Sequence, residues 1–214
     1  MSLTQGGARL VYKNAQDALI KAGVNPANAV LSQSYLRFET FLSTTKTSYD
    51  FGVLNNQTPN GIAQAPTENR LALQDAFYIS ELMVYIASAA SATDSAYKLY
   101  TYPSPTVFGA SLYTLYNGQL SLTVNNRQIV PSSDLIKYLQ IPQTQVNDTI
   151  EPFTVDQFDG SFANVIEPNL VLIGSKNSLI NITLPSALTG MLSPYTKVVI
   201  VARGILAQNV TVVS

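Results

Sequence analysis

The 214-residue chain contains no histidine, no cysteine and no tryptophan. Without cysteine there is no disulfide, thiolate nucleophile or zinc–thiolate site; without histidine there is no imidazole base, Ser–His pair or imidazole metal ligand. Carboxylate and lysine chemistry is what remains. Charge is scarce as well: Lys, Arg, Asp and Glu make up 12% of residues, about half the usual share, against 46% hydrophobic residues and a net charge of −1. The resulting surface is neutral and amide-rich, poorly suited to holding a monomer apart from its copies by repulsion and well suited to being covered by other subunits. Long apolar runs are missing too. The longest, Leu82 to Ala87 and Val198 to Ala202, fall far short of the roughly 20 residues that cross a bilayer. No signal-peptide core precedes residue 30, which argues against secretion by that route. The Asn-x-Thr triplets at Asn56, Asn147, Asn181 and Asn209 follow from a composition rich in Asn and Thr and carry no weight.

What is present is mostly β-pattern. Residues 8–22 place Val11, Ala15, Ala18, Leu19 and Ala22 on one side at helical spacing, with Gly23 and Asn25-Pro26 as a stop. This predicts an amphipathic helix on an N-terminal arm, residues 1–30. Arg9, Lys13 and Lys21 outnumber Asp17 on it, so a lipid or genome contact through these three is weighed against docking on its own domain or a neighbour, which is preferred. From Ser34 the period becomes two: Tyr35, Arg37, Glu39 and Phe41 face one side, Leu36, Phe38, Thr40 and Leu42 the other. With Tyr49 to Leu54 this reads as a hairpin. Further strands are expected over about 76–87, at Leu99 to Tyr102 and at Gln119 to Val124, the last turning at Asn125-Asn126 into Arg127 to Val130. Leu170 to Ile173 and Leu179 to Leu184 flank Gly174-Ser175-Lys176-Asn177 as a second hairpin, and Lys197 to Arg203 precedes Val210 to Val213. Brief helices are expected over 110–116 and after Ser132-Ser133-Asp134. Residues 142–168 read as a long loop with three prolines and five acids and no intervening base. About eight short strands in one domain, residues 31–214, argue for an all-β, two-sheet antiparallel sandwich.

Chemistry is thinly represented. Asp156-Gln157-Phe158-Asp159-Gly160 lacks the alternating acids and terminal Glu of a calcium loop, and reads as a solvated acidic turn. No two of the thirteen acids are singled out as a hydrolase pair. Gly174-Ser175-Lys176 lacks the glycine-spaced loop of a phosphate cradle. The twelve bases are scattered singly, and the twelve tyrosines do not interleave with them, which argues against sequence-specific nucleic-acid binding. No catalytic residue, cofactor or metal is assigned. Tyr97, Tyr100, Tyr102, Tyr113 and Tyr116 suit a subunit interface that is apolar on one side and wet on the other, or else complete the domain's own core.

Three stretches, Glu68-Asn69-Arg70-Leu71-Ala72-Leu73-Gln74-Asp75-Ala76-Phe77, then Leu115-Tyr116-Asn117-Gly118 with Leu122-Thr123-Val124-Asn125-Asn126, and Pro142-Gln143-Thr144-Gln145, resemble jelly-roll capsid proteins of tailless icosahedral bacteriophages, particularly those of Bacteroidetes-type hosts. The resemblance implies a jelly-roll-type sandwich that tiles an icosahedral shell, with copies of itself and other capsid proteins as partners, assembled in the host cytoplasm into the virion. The double jelly-roll proteins of that group are longer, so a single jelly roll or a minor or vertex shell protein fits this length better. A carbohydrate- or receptor-binding β-sandwich, such as a phage spike or adhesin module, is the alternative, with a carboxylate hydrolase third.

Overall fold

The structure, a computed structural model, describes residues 5–53, 70–94, 97, 99–101, 113–140, 164–191 and 193–212, without the side chains of 5–10, 164–169 and 212. After helix α1 (Gln5–Lys21) the strands are β1 (Val24–Asn25), β2 (Val30–Phe41), β3 (Ser48–Gly52), β4 (Ala76–Ser88), β5 (Leu99–Tyr100), β6 (Gln119–Val124), β7 (Arg127–Asp134), β8 (Asn164–Ile173), β9 (Ser178–Thr183), β10 (Thr196–Gln208) and β11 (Thr211–Val212). One sheet runs β2-β10-β4, with β8 and the short β5 both on the far edge of β4; the other runs β3-β9-β6-β7, and β1 pairs with β11. All pairings are antiparallel.

Leaving aside the two-residue strands, the pairing has one rule. The first strand pairs with the last (β2 with β10), the second with the second-last (β3 with β9), the third with β8, and the middle two, β6 and β7, with each other. That is one long antiparallel ribbon, bent double at β6–β7 and wound so that, apart from those two, successive strands alternate between sheets, which defines a jelly roll. Two expected hairpins are corrected by it. Residues 35–54 are not a hairpin, because β2 and β3 lie in opposite sheets, and the same holds for β8 and β9 around Gly174. Among the described strands longer than two residues, the ribbon's tip is the one sequence-local hairpin: Asn125 and Asn126 have φ of 51° and 62°, the left-handed pair a tight primed turn requires. The expected loop over 142–168 is shortened, since β8 begins at Asn164; its residues 142–163 lie outside the described residues, as does the acidic turn at 156–160.

The core lies between the sheets. Leu36 and Phe38 of β2, Val198, Ile200 and Ala202 of β10, and Leu122, Ile180 and Ile182 of the opposite sheet are each at most 3% exposed. The first sheet is buried on its other face as well. Ala15, Ala18 and Leu19 of α1 lie on Ala76, Tyr78, Ile205 and Ala207, while Met83, Tyr85, Val199 and Val201 form a second apolar layer with Tyr97 and Leu99 packed against it. This explains why Val198 to Ala202 reads as an unbroken apolar run: a central strand covered on both faces needs no polar alternation. The helix stops where expected, with Gly23 at φ 79°.

Both sheets depart from regular register near their middles. Ser80 is an extra residue of β4 against β10, and its hydroxyl donates to the Arg203 carbonyl at 3.1 Å. Beside it, a Cβ on Gly204 would fall 1.7 Å from the Tyr78 carbonyl oxygen, so only glycine fits. β8 shifts against β4 between Ile79 and Glu81, and β7 bulges twice against β6, around Pro131-Ser132 and at Ile129.

Candidate functional site

The residues singled out in the sequence are dispersed. On α1, Lys13 and Lys21 are exposed with Asp17 one turn from each, and the side chain of Arg9 lies outside the described residues. The helix spends its apolar stripe on the sheet, so this weakly cationic line and Ile20, 61% exposed, are what it presents outward. Tyr100 and Tyr116 are part of the chain's own core, and the Tyr116 hydroxyl donates to the Thr101 carbonyl at 3.2 Å. Tyr113 is 42% exposed, and Tyr102 lies outside the described residues. Tyr97 belongs to a cluster that the sequence did not announce.

That cluster sits on the covered outer face of the first sheet. The alternation of β2 sends Arg37, Glu39 and Phe41 to this face, and β10 places Lys197 directly opposite Phe41 and Val199 opposite Glu39. Lys197 is completely buried; its Nζ lies 3.4 Å from Glu39 Oε2 and stands 4.4 Å from the Tyr97 ring centroid and 4.9 Å from that of Phe41. Arg37 Nη2 lies 2.6 Å from Glu39 Oε1 and donates to the Tyr97 hydroxyl oxygen at 2.9 Å, and that hydroxyl donates in turn to Glu39. Phe41 meets Tyr195 edge-on, at 6.4 Å between centroids. Burial, reinforced by the carboxylate of Glu39, pushes the Tyr97 phenol above its ordinary range, so it acts as a proton-holding donor. One carboxylate therefore answers two cations, and aromatic faces supply the rest of Lys197's surroundings. With Lys197 buried, the cluster fixes the Tyr97 segment onto the sheet. The one signal available in sequence was Lys197 itself, a lone charge opening an apolar run.

Exposed apolar side chains are found at both ends of the sandwich, besides Tyr35 in the middle of β2 and Ile129 and Leu179 on the second sheet. Ile20, Val30 and Leu73 are the three most exposed large hydrophobics among the described residues, at 61%, 60% and 58%. All three belong to the end where β1 pairs with β11: Ile20 precedes β1 by one turn, Val30 pairs with Gln208, and Gln74 beside Leu73 accepts a backbone bond from Val210. The opposite end carries Ile136, Tyr113 and Tyr195. There the turn of helix Tyr113–Tyr116 sits beside the 3-10 turn Leu135–Tyr138, whose cap is Asp134, accepting from Ile136 N at 3.0 Å. Ser132 and Ser133 belong to β7.

The outer face of the second sheet carries polar side chains around Asn181, with Leu179, 37% exposed, on the same face. Asn181 Nδ2 donates to Ser48 Oγ and Asp50 Oδ1 at 2.8 and 2.6 Å, and Thr183 Oγ1 donates to Asn181 Oδ1 at 2.8 Å. No group of three or more His, Cys, Asp or Glu that could hold a metal ion occurs among the described residues, and no helix among them is long and apolar enough to cross a membrane. Comparison of the chain with protein-family models, curated proteins and solved structures gives no match.

Proposed function

We propose that the chain is a non-enzymatic structural subunit of a bacteriophage virion, a jelly roll that assembles with copies of itself and with other capsid proteins, in major, minor or vertex positions of the shell. The observation that carries this reading is the placement of Ile20, Val30 and Leu73 at one end and Ile136, Tyr113 and Tyr195 at the other. Apolar ends on a weakly charged body favour repeated, head-to-tail association, which closes into rings or shells when its rotation permits. The first half of β2 adds to this: Val30 to Tyr35 is a sheet edge with neither charge nor proline, the devices that ordinarily blunt such edges. Lys13 and Lys21 outward on α1 supply the contact for an internal membrane or genome in this reading.

Size-exclusion chromatography with negative-stain imaging tests the proposal. Discrete oligomers or particles are expected, disrupted by Val30→Lys with Leu73→Lys while the circular dichroism spectrum is retained. A strictly monomeric protein at high concentration counts against it. The hydroxyl- and amide-lined face around Asn181 favours a second reading, a glycan-binding module, which saturable glycan-array binding by the monomer would support.

A further inference from the structure

A cavity of about 280 Å³ opens between the two sheets. Its inner wall is aliphatic: Ile79 and Leu82 of β4 and Leu170 of β8 face Leu120 and Leu122 of β6 and Ile180 of β9. The cavity has a structural cause. Ile79, Leu82 and Leu170 flank the register shift of β4 against β8, and Leu120, Leu122 and Val130 flank the shifts of β6 against β7. Bulged strands bend, and here the bends of the two sheets meet at one level, leaving space that regular sheets would close. Polar groups collect at one side only. Ser133, Lys137 and Tyr138 complete the wall, and Lys137 is exposed, so this side is the mouth. Tyr138 is 3% exposed, and the Lys137 ammonium stands 4.9 Å from its ring centroid. Asp134, the acid that acts on Lys137, caps the 3-10 turn and does not line the cavity.

We propose that this cavity binds a medium-chain acyl carboxylate, tail between the sheets and carboxylate at Lys137. Water is a poor occupant, because each molecule needs two to four polar partners and the inner wall provides none. An aliphatic tail recovers the dispersion contacts that an empty void forfeits. Size sets the chain length: at about 30 Å³ per water-sized atom, the space takes roughly nine or ten non-hydrogen atoms, the size of octanoate. Among the described residues that line the cavity Lys137 is the one charged group, and a cation at the mouth favours an anionic head over a neutral one. The inference stands on the cavity alone and does not depend on shell assembly.

Isothermal titration calorimetry of the full chain with octanoate, octanol and butyrate is the test. Octanoate is expected to bind saturably at one site per chain, and butyrate, too short to fill the inner wall, to bind at least tenfold more weakly. Lys137→Met, on an exposed position, is expected to cost octanoate roughly tenfold in affinity and to leave octanol unchanged. Ile180→Phe fills the space and is expected to abolish binding of both while the melting temperature holds or rises. Anionic phospholipid vesicles separate the sources: binding to vesicles that Ile180→Phe removes assigns a membrane acyl chain, and octanoate binding without it a free acid. No heat with octanoate, or octanoate binding that survives Ile180→Phe in a folded protein, overturns the proposal.

Discussion

The buried cluster makes an asymmetric prediction about its two central residues. Glu39 has three partners, Arg37, Lys197 and Tyr97, whereas Lys197 has one ionic partner and two rings. At 3.4 Å and an effective dielectric constant near 20, the Glu39–Lys197 attraction is about 5 kcal/mol before desolvation is subtracted. Glu39→Gln removes it and leaves a fully buried ammonium facing a neutral amide, with Arg37 also released. Breaking a buried pair in this way costs about 3–5 kcal/mol. Lys197→Met removes the same pair from the other side, but Glu39 keeps Arg37 at 2.6 Å and the Tyr97 hydroxyl, and the thioether fits between the two rings. Its cost is expected to be about 1 kcal/mol or less. Urea denaturation followed by circular dichroism measures both. At an m-value of about 2 kcal/mol/M, Glu39→Gln should lower the midpoint by roughly 2 M and Lys197→Met by about 0.5 M or less. The double variant should recover much of the Glu39→Gln loss, because no unpaired ammonium remains. Equal losses in the two single variants would refute the reasoning, since they would mean that the pair, and not the orphaned lysine, sets the cost.

Alkali should unfold the protein steeply. Burial raises the phenols of Tyr97, Tyr116 and Tyr138 above their ordinary 10.0, so between pH 10 and their folded values the unfolded chain has lost protons that the folded chain retains. Their stabilisation is complete below pH 10 and drains above it, at about 1.4 kcal/mol per pH unit for each phenol; tyrosinate absorbance should therefore jump with unfolding, and a gradual, independent rise would contradict this. Gly204→Ala drives a Cβ into the Tyr78 carbonyl and should cost about 3 kcal/mol or more by urea titration, whereas Gly52→Ala, with open space around it, should cost well under half of that. The absence of native cysteine permits a clean labelling test: in assembled material a cysteine at Leu73 should be protected from a thiol reagent and one at Thr123 should stay reactive, and the reverse pattern would place the contacts elsewhere.

Strands were legible because their period-two pattern is local; pairing was not, because the jelly roll sends neighbours in sequence to opposite sheets. The turn residues at Gly174-Ser175-Lys176-Asn177 are those of a hairpin, yet here they carry the chain from β8 in one sheet to β9 in the other. A Cβ on Gly174 would meet the Ala72 carbonyl at 1.7 Å, so this glycine answers to a close approach between segments. At Asn125-Asn126 the same kind of signal coincided with the ribbon's tip and read true. The buried cluster joins residues 37, 39, 97 and 197, distances along the chain that no window spans. The alternation of β2 did separate Arg37 and Glu39 from Leu36 and Phe38, but a charged face is ordinarily a solvated one. Only the covering of the first sheet's outer face turns it inward. The cavity was equally hidden, because it arises from register shifts, and register is a property of strand pairs.

Scarce charge acquires a sharper meaning once its location is known. Glu39 and Lys197 are withdrawn from the surface and Arg37 largely so, which makes the exterior more neutral than the composition alone implies. The exterior is also divided by kind. The first sheet is covered by α1 and the Tyr97 segment, the second presents polar groups bonded to one another around Asn181 and Asp50 with Leu179 beside them, and the three most exposed large apolar side chains among the described residues lie at one end. Desolvating a satisfied polar face gains little, because each bond made to a partner replaces one held within the sheet or with water. Desolvating Ile20, Val30 and Leu73 gains about 25 cal/mol for every Å² covered. In the proposed assembly, contacts between copies should form at the ends and along the edge of β2 more than on the face of the second sheet, an orientation set by where the sequence put its few charges.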